Sequence, residues 1–155
     1  MNSSVVKLAV TDDICLVTIG KINNNYKELA DIFKCLNEKK INYKLVSQAP
    51  MIKLKKLDIM LDISLCDFCV FLKQLGKIKK LYEYLFVEII SESTRFSFIS
   101  DNTNLLPNVI QCLGENNISI RAFNLYDNKL DIYAAESSSD RIIEILSNQF
   151  KIELI

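Results

Sequence analysis

The chain has no histidine. That removes the commonest general base and the commonest zinc ligand together. It has only three glycines, Gly20, Gly76 and Gly114, too few for a glycine-rich phosphate loop of the Walker or Rossmann pattern. It has no excess of either charge: 19 basic residues balance 19 acidic ones. No nucleic-acid or anionic-membrane partner is therefore expected. No apolar run reaches the length of a membrane span, and no hydrophobic leader opens the sequence, so a cytoplasmic location is expected. The five cysteines are odd in number and irregular in spacing, which fits reduced thiols better than a disulfide framework.

What is present is a pattern that occurs twice. Ile32-Phe33-Lys34-Cys35-Leu36, followed by Ile41 and Tyr43, aligns with Val109-Ile110-Gln111-Cys112-Leu113, followed by Ile118 and Ile120. Both copies run from an amphipathic helix straight into a strand, and an internal repeat of this kind sets the architecture. The 155 residues suffice for one ordinary domain or two small ones with a shared core.

Along the chain, Val5–Val10 reads as an edge strand and Thr11-Asp12-Asp13 as a solvated turn; a metal-binding role for the two aspartates is the weaker alternative. Ile14–Ile19 is a strand ending at Gly20. An Asn-rich loop, 21–25, leads to a helix with Leu29, Ile32, Phe33 and Leu36 inward, Lys27, Glu28 and Asp31 outward, and Asn24 or Asn25 as N-cap. Strand 41–48, a lysine-bearing loop 49–56 and strand 57–63 follow. A second helix is expected from Cys66 to Leu75, with Val70, Leu72 and Leu75 among its apolar positions and its end near Gly76. Strand 85–90 completes a β-α-β-β-α-β order. The second half repeats it: strand 96–100, helix 105–116 with Pro107 in its first turn, strands 118–126 and 130–135, a helix capped by Ser137–Asp140, and a last strand 150–155. The expected fold class is α+β, two ferredoxin-like βαββαβ units packed together, antiparallel sheets with helices on one face.

Three stretches carry a family resemblance: Ile14–Gly20, then Ala30-Asp31-Ile32-Phe33, then Ile41-Asn42-Tyr43-Lys44-Leu45-Val46-Ser47-Gln48. Together they resemble the first ACT domain of aspartokinases, and the second half resembles the second ACT domain of the same tandem. The preceding Val6–Asp13 resembles the lead-in strand found there. The resemblance covers nearly the whole chain and implies domains at 1–92 and 93–155. It also implies an allosteric module that binds a small amino acid, typically lysine or threonine, near the loop between first strand and first helix, at an interface between ACT domains. The positions it assigns to the effector are Ile22, Asn23, Asn24, Asn25, Tyr26, Asn42, Ser47 and Gln48, with Asp101, Asn102, Thr103 and Asn104 in the second half. A carboxylate suits free N–H groups at a helix N-terminus, and an ammonium suits side-chain amides and carbonyls. No catalytic residues, cofactor or metal are implied.

The family's first loop usually reads Asp-x-Pro-Gly before the helix. Here Asn24, Tyr26 and Lys27 stand at the Asp, Pro and Gly positions. Two function classes remain open: an amino-acid-sensing regulatory module acting on a kinase subunit or domain, and a structural ACT dimerisation module with a degenerate pocket. A homodimer is expected in either case. No stretch resembles an aspartokinase catalytic domain, so aspartate phosphorylation by this chain alone is not expected. Cys66-Asp67-Phe68-Cys69 is a C-x-x-C, read as two small residues of which one or both lie in the helix core rather than as a redox or zinc pair. Lys53, Lys55, Lys56, Lys77, Lys79 and Lys80 are read as solvated charges. Tyr82, Tyr84 and Phe86 alternate with charge and are read as sheet packing.

Overall fold

The computed structural model describes residues 5–23, 25–102 and 104–155. The elements are β1 (Val6–Asn23), α1 (Lys27–Glu38), β2 (Tyr43–Met51), β3 (Lys56–Ser64), α2 (Leu65–Leu81), β4 (Phe86–Ile99), α3 (Leu105–Glu115), β5 (Ile120–Tyr126), β6 (Lys129–Ala135), α4 (Ser139–Gln149) and β7 (Ile152–Leu154). Among the described residues the fold is α+β, with four α-helices; β1–β3, β2–β3, β4–β6 and β5–β6 pair antiparallel and β1–β7 pairs parallel.

The chain divides into two compact units, Ile14–Ser91 and Met1–Asp13 with Glu92–Ile155. The lead-in segment was expected to belong with the first half. It belongs with the second. Val6, Lys7 and Leu8 pair in parallel with Ile152, Glu153 and Leu154, and Val6 and Leu8 are fully buried beside Phe96, Leu130 and Ile142. Four strands were expected where β1 and β4 each run without interruption. The segment read as a turn at Thr11–Asp13 stays extended apart from Asp13, whose φ is 58°, and in β4 Glu92 has φ 52°. Each left-handed residue stands where the chain passes from one unit to the other, and neither ends its strand.

In the unit Ile14–Ser91, β2, β3, β1 and β4 lie side by side in that order. β1 and β3 pair from Ile14↔Ser64 to Asn23↔Lys56, with a register shift between Ile19 and Ile22. One sheet face, carrying Val17, Ile19, Leu57, Ile59, Leu61 and Ile63, is covered by Ile32 and Leu36 of α1 and by Phe71, Leu75 and Ile78 of α2. The period-two and period-3.6 stripes meet because each is apolar on one side only. Helix α2 is longer than expected. It passes through Gly76 to Leu81, and burying Ile78 offsets the roughly 1 kcal/mol that a helical glycine costs. Its buried stripe is Phe71, Gln74, Leu75 and Ile78, so Val70 and Leu72, expected inside, are exposed. Cys66 and Cys69 fall off that stripe too; both are exposed, against the expectation that one or both sit in the core.

In the other unit the order is β5, β6, β4, β1, β7. Phe96, Phe98, Leu130 and Ile132 face Leu106, Val109 and Leu113 of α3 and Ile142 and Leu146 of α4. Ser97 Oγ donates to the fully buried Asp131 Oδ1 at 2.6 Å, and Thr94 Oγ1 donates to Asp12 Oδ1 at 2.7 Å. Asp12 is therefore a local acceptor. Among the described residues no group of three or more His, Cys, Asp or Glu side chains is placed to hold a metal. No described helix is long and apolar enough to cross a membrane.

The sequence repeat is a structural repeat. Ile32, Leu36 and Ile41 are buried in one unit as Val109, Leu113 and Ile118 are in the other. Both helices end in the same double bond. Lys40 N–H donates to Asn37 O and Ile41 N–H to Leu36 O; Asn117 N–H donates to Gly114 O and Ile118 N–H to Leu113 O. Lys40 and Asn117 take the left-handed position of this Schellman cap, with φ 52° and 55°.

Candidate functional site

The loop between β1 and α1 is held by a polar cluster that closes on Glu28. Glu28 stands in the first turn of α1, where the helix dipole favours an anion. The sequence pattern places it on the outer face; in the structure it is only 5% exposed. Its Oε2 accepts the Asn23 N–H at 2.8 Å and its Oε1 accepts Asn23 Nδ2 at 2.6 Å. The Tyr84 hydroxyl donates to the same Oε1. Asn23 completes the ring. Its Nδ2 donates to Tyr84 Oη at 3.0 Å, and its Oδ1 accepts from Lys56 Nζ, which lies 5.0 Å above the Tyr84 ring centre.

Burial pushes the Glu28 carboxyl upward, but the Tyr84 hydroxyl, the two Asn23 donors and the Lys56 charge outweigh it and hold the group below its ordinary value. The same carboxylate acts in reverse on its donor. Burial, then the bond to Glu28, pushes the Tyr84 phenol up to about 12. Nearby, Tyr82 Oη donates to Asp31 Oδ2 at 2.5 Å, and that bond first, with burial second, raises Tyr82 to about 12. The two rings meet edge to face, 6.3 Å apart. Sheet packing was expected for Tyr82, Tyr84 and Phe86. Instead Tyr82 follows α2, Tyr84 lies in a turn, and only Phe86 enters the strand, half exposed. Lys56, read as a solvated charge, is drawn into the cluster by its pairing opposite Asn23. Lys79 is tied to the carbonyls of Glu83 and Leu85, which fixes the turn carrying Tyr84.

The effector positions assigned by resemblance are distributed as follows. Ile22 is buried in the core and Asn23 is engaged as above. Asn24 lies outside the described residues. Asn25 is exposed, with its Oδ1 accepting the Lys27 N–H at 3.2 Å. Tyr26 is 67% exposed in a left-handed conformation, φ 63°, at the N-cap of α1. Ser47 and Gln48 are exposed on β2, opposite Met60 and Ile59 of β3. Asn42 lies at the other end of the sheet, its N–H donating to Asp67 Oδ2 at 3.1 Å. Tyr43 pairs with Ile63, which pairs with Cys15, whereas Asn23 pairs with Lys56; the separation along β1 is about 25 Å at 3.3 Å per residue. The unit therefore gathers Asn23, Asn25 and Tyr26 at one end and leaves Asn42 at the other.

In the second unit Asp101 and Asn102 are exposed and Thr103 lies outside the described residues. Asn102 forms a local turn: its N–H donates to Ser100 Oγ and its Oδ1 accepts the Asn104 N–H, both at 3.2 Å. No counterpart of Glu28 stands in the first turn of α3, which has no acidic residue.

Glu28, Lys56 and Tyr84 were not singled out as functional from the sequence. A signal for Glu28 was present: Asn25-x-x-Glu28 has the spacing in which a first-turn glutamate reaches back to an N–H ahead of its helix. Nothing local marks Lys56 or Tyr84, which join through the sheet.

No protein-family model matches the chain, and no curated protein matches it. Solved structures do. The ligand-free regulatory subunit of aspartate kinase from Thermus thermophilus is 11% identical, with a TM-score of 0.80, and the match covers 92% of this chain and 96% of that one. Aspartate kinase from Synechocystis is 13% identical, with a TM-score of 0.85 over 96% of this chain and 27% of that one. E. coli aspartokinase III, in complex with lysine and aspartate, is 16% identical, with a TM-score of 0.69 over 92% of this chain and 32% of that one. The fold is thus that of the tandem ACT regulatory region of aspartate kinases, and it spans nearly all of the Thermus subunit.

Proposed function

We propose that this chain is a non-catalytic regulatory module of the aspartokinase type, which binds a small amino acid and passes the bound state to a kinase subunit or domain. The observation that carries this reading is the match over 92% of this chain and 96% of the regulatory subunit of aspartate kinase from Thermus thermophilus. Lysine and threonine are the proposed effectors, and lysine is bound together with aspartate in the E. coli aspartokinase III structure of the same fold.

The proposed contacts are the exposed Asn25 and Tyr26 at the start of α1, with Asn42 just before β2, Ser47 and Gln48 of β2 and, in the second unit, Asp101, Asn102 and Asn104. The span of about 25 Å between Asn23 and Asn42 exceeds the length of any amino acid. A single effector therefore reaches both the loop and Asn42 only across two copies, which makes a homodimer part of the proposal. Binding that differs between two dimer arrangements is what couples the effector to a partner.

One observation favours the second reading, a structural dimerisation module. Asn23 N–H and Nδ2 already donate to an internal carboxylate, Glu28, so those donors are closed to an effector carboxylate. The test is a thermal-shift screen against the twenty amino acids. A ligand that binds only the native state adds about 2.7 kcal/mol at a hundredfold excess over Kd. A selective rise with lysine or threonine, lost in Asn25→Ala, supports the sensor. A flat screen replaces it with the structural module.

A further inference from the structure

On the helix-free face of the Ile14–Ser91 unit lies a cleft of about 350 Å³, within the range of small-ligand sites. It opens beside the loop cluster but has its own walls. Met51, Leu54 and Phe86 supply apolar surface, and all three are exposed, Leu54 at 67%. Gly20 forms its floor: a Cβ there would lie 2.8 Å from Asp58 Oδ1 and 3.4 Å from Phe86 Cδ1. A glycine at this position lets the carboxylate and the ring approach the strand.

Asp58 is the one carboxylate among the lining residues, and Lys21 and Lys56 stand beside it. Asp58 Oδ1 accepts the Lys21 N–H at 2.9 Å, and its other oxygen takes no hydrogen bond among the described residues. Lys56 also borders the cleft, but its ammonium is directed to Asn23 Oδ1 and the Tyr84 ring. The site thus joins an apolar wall to a carboxylate with an open acceptor. We propose that this cleft binds a small primary amine with a compact aliphatic or aromatic body, the ammonium on Asp58 and the body against Met51, Leu54 and Phe86. A charge-assisted bond to the carboxylate selects the cation, and the apolar wall selects for bulk. The proposal does not rest on the regulatory reading, and its probes carry no α-carboxylate.

Isothermal titration with benzylamine, benzyl alcohol and benzoate tests it. Benzylamine is expected to bind roughly tenfold or more tightly than benzyl alcohol, with benzoate weakest. Asp58→Asn should bring the amine down to the alcohol's affinity. Leu54→Ser, at an exposed position outside the core, should weaken amine and alcohol alike, and it stands as the test if Asp58→Asn does not fold. Benzoate binding as well as benzylamine, full amine affinity in Asp58→Asn, or unchanged binding in Leu54→Ser would each overturn the proposal.

Discussion

Replacing Glu28 by glutamine changes one charge and almost no volume, so it isolates the electrostatics of the β1–α1 loop. The carboxylate accepts three hydrogen bonds, from the Asn23 N–H, Asn23 Nδ2 and the Tyr84 hydroxyl. A glutamine keeps one acceptor oxygen and turns an NH2 group toward the remaining donors. Hydrogen bonds to charged groups contribute about 1.5–3 kcal/mol each, and a buried donor left without a partner costs about 1–3 kcal/mol. Since the tyrosine hydroxyl rotates to accept, one mismatch survives, and Glu28→Gln should lose about 2 kcal/mol. Urea unfolding followed by circular dichroism at pH 7 reads this directly. The pH dependence has a definite sign. The folded pKa lies below the ordinary value of 4.5, so the unfolded state binds the proton first. The stabilisation is complete above pH 4.5 and disappears as the pH falls through the lower folded value. The gap between parent and Glu28→Gln should therefore be full at pH 7 and shrink in acid. A loss below about 0.5 kcal/mol at pH 7, the range of ordinary surface changes, would refute this account of the loop.

Three further outcomes follow from the structure. Glu28→Gln and Tyr84→Phe should be sub-additive by more than about 0.5 kcal/mol in a double-mutant cycle, because they share one bond. Lys40→Gly and Asn117→Gly should each stabilise by up to about 1 kcal/mol in the same urea assay, because glycine relieves the left-handed cap; a loss in both would contradict the shared cap geometry. Tyr82 and Tyr84, raised to about 12 by their carboxylate partners and burial, should remain protonated in an ultraviolet titration at pH 11. Their stabilisation is complete below pH 10 and is lost as the pH rises through 12. Ionisation of all six tyrosines near pH 10 would contradict it.

The repeat and the apolar faces of α1 and α3 were legible because burial of Ile32, Leu36 and Ile41, and of Val109, Leu113 and Ile118, leaves a periodic trace in the sequence. The strand joins were not. Asp12-Asp13 has the composition of a turn, yet strand pairing carries the backbone through it with one left-handed residue. The end of α2 was misplaced for a related reason: Gly76 weakens a helix locally, while packing of Ile78 extends it. In the site, Asn23 was visible as part of an asparagine run, but its partners were not. Lys56 and Tyr84 reach it from 33 and 61 positions away, and only the β1–β3 register and the turn after α2 bring them together. Local sequence describes which residues are polar; tertiary pairing decides which of them are already satisfied.

The central claim is that the start of α1 receives an amino acid. The most direct test is an amide NMR titration of the isotopically labelled chain with L-lysine and L-threonine. The account predicts saturable shifts for one of them, concentrated at Asn25, Tyr26 and the first turn of α1. Spectra unchanged at millimolar concentrations of both, or shifts confined to residues remote from that loop, would contradict it.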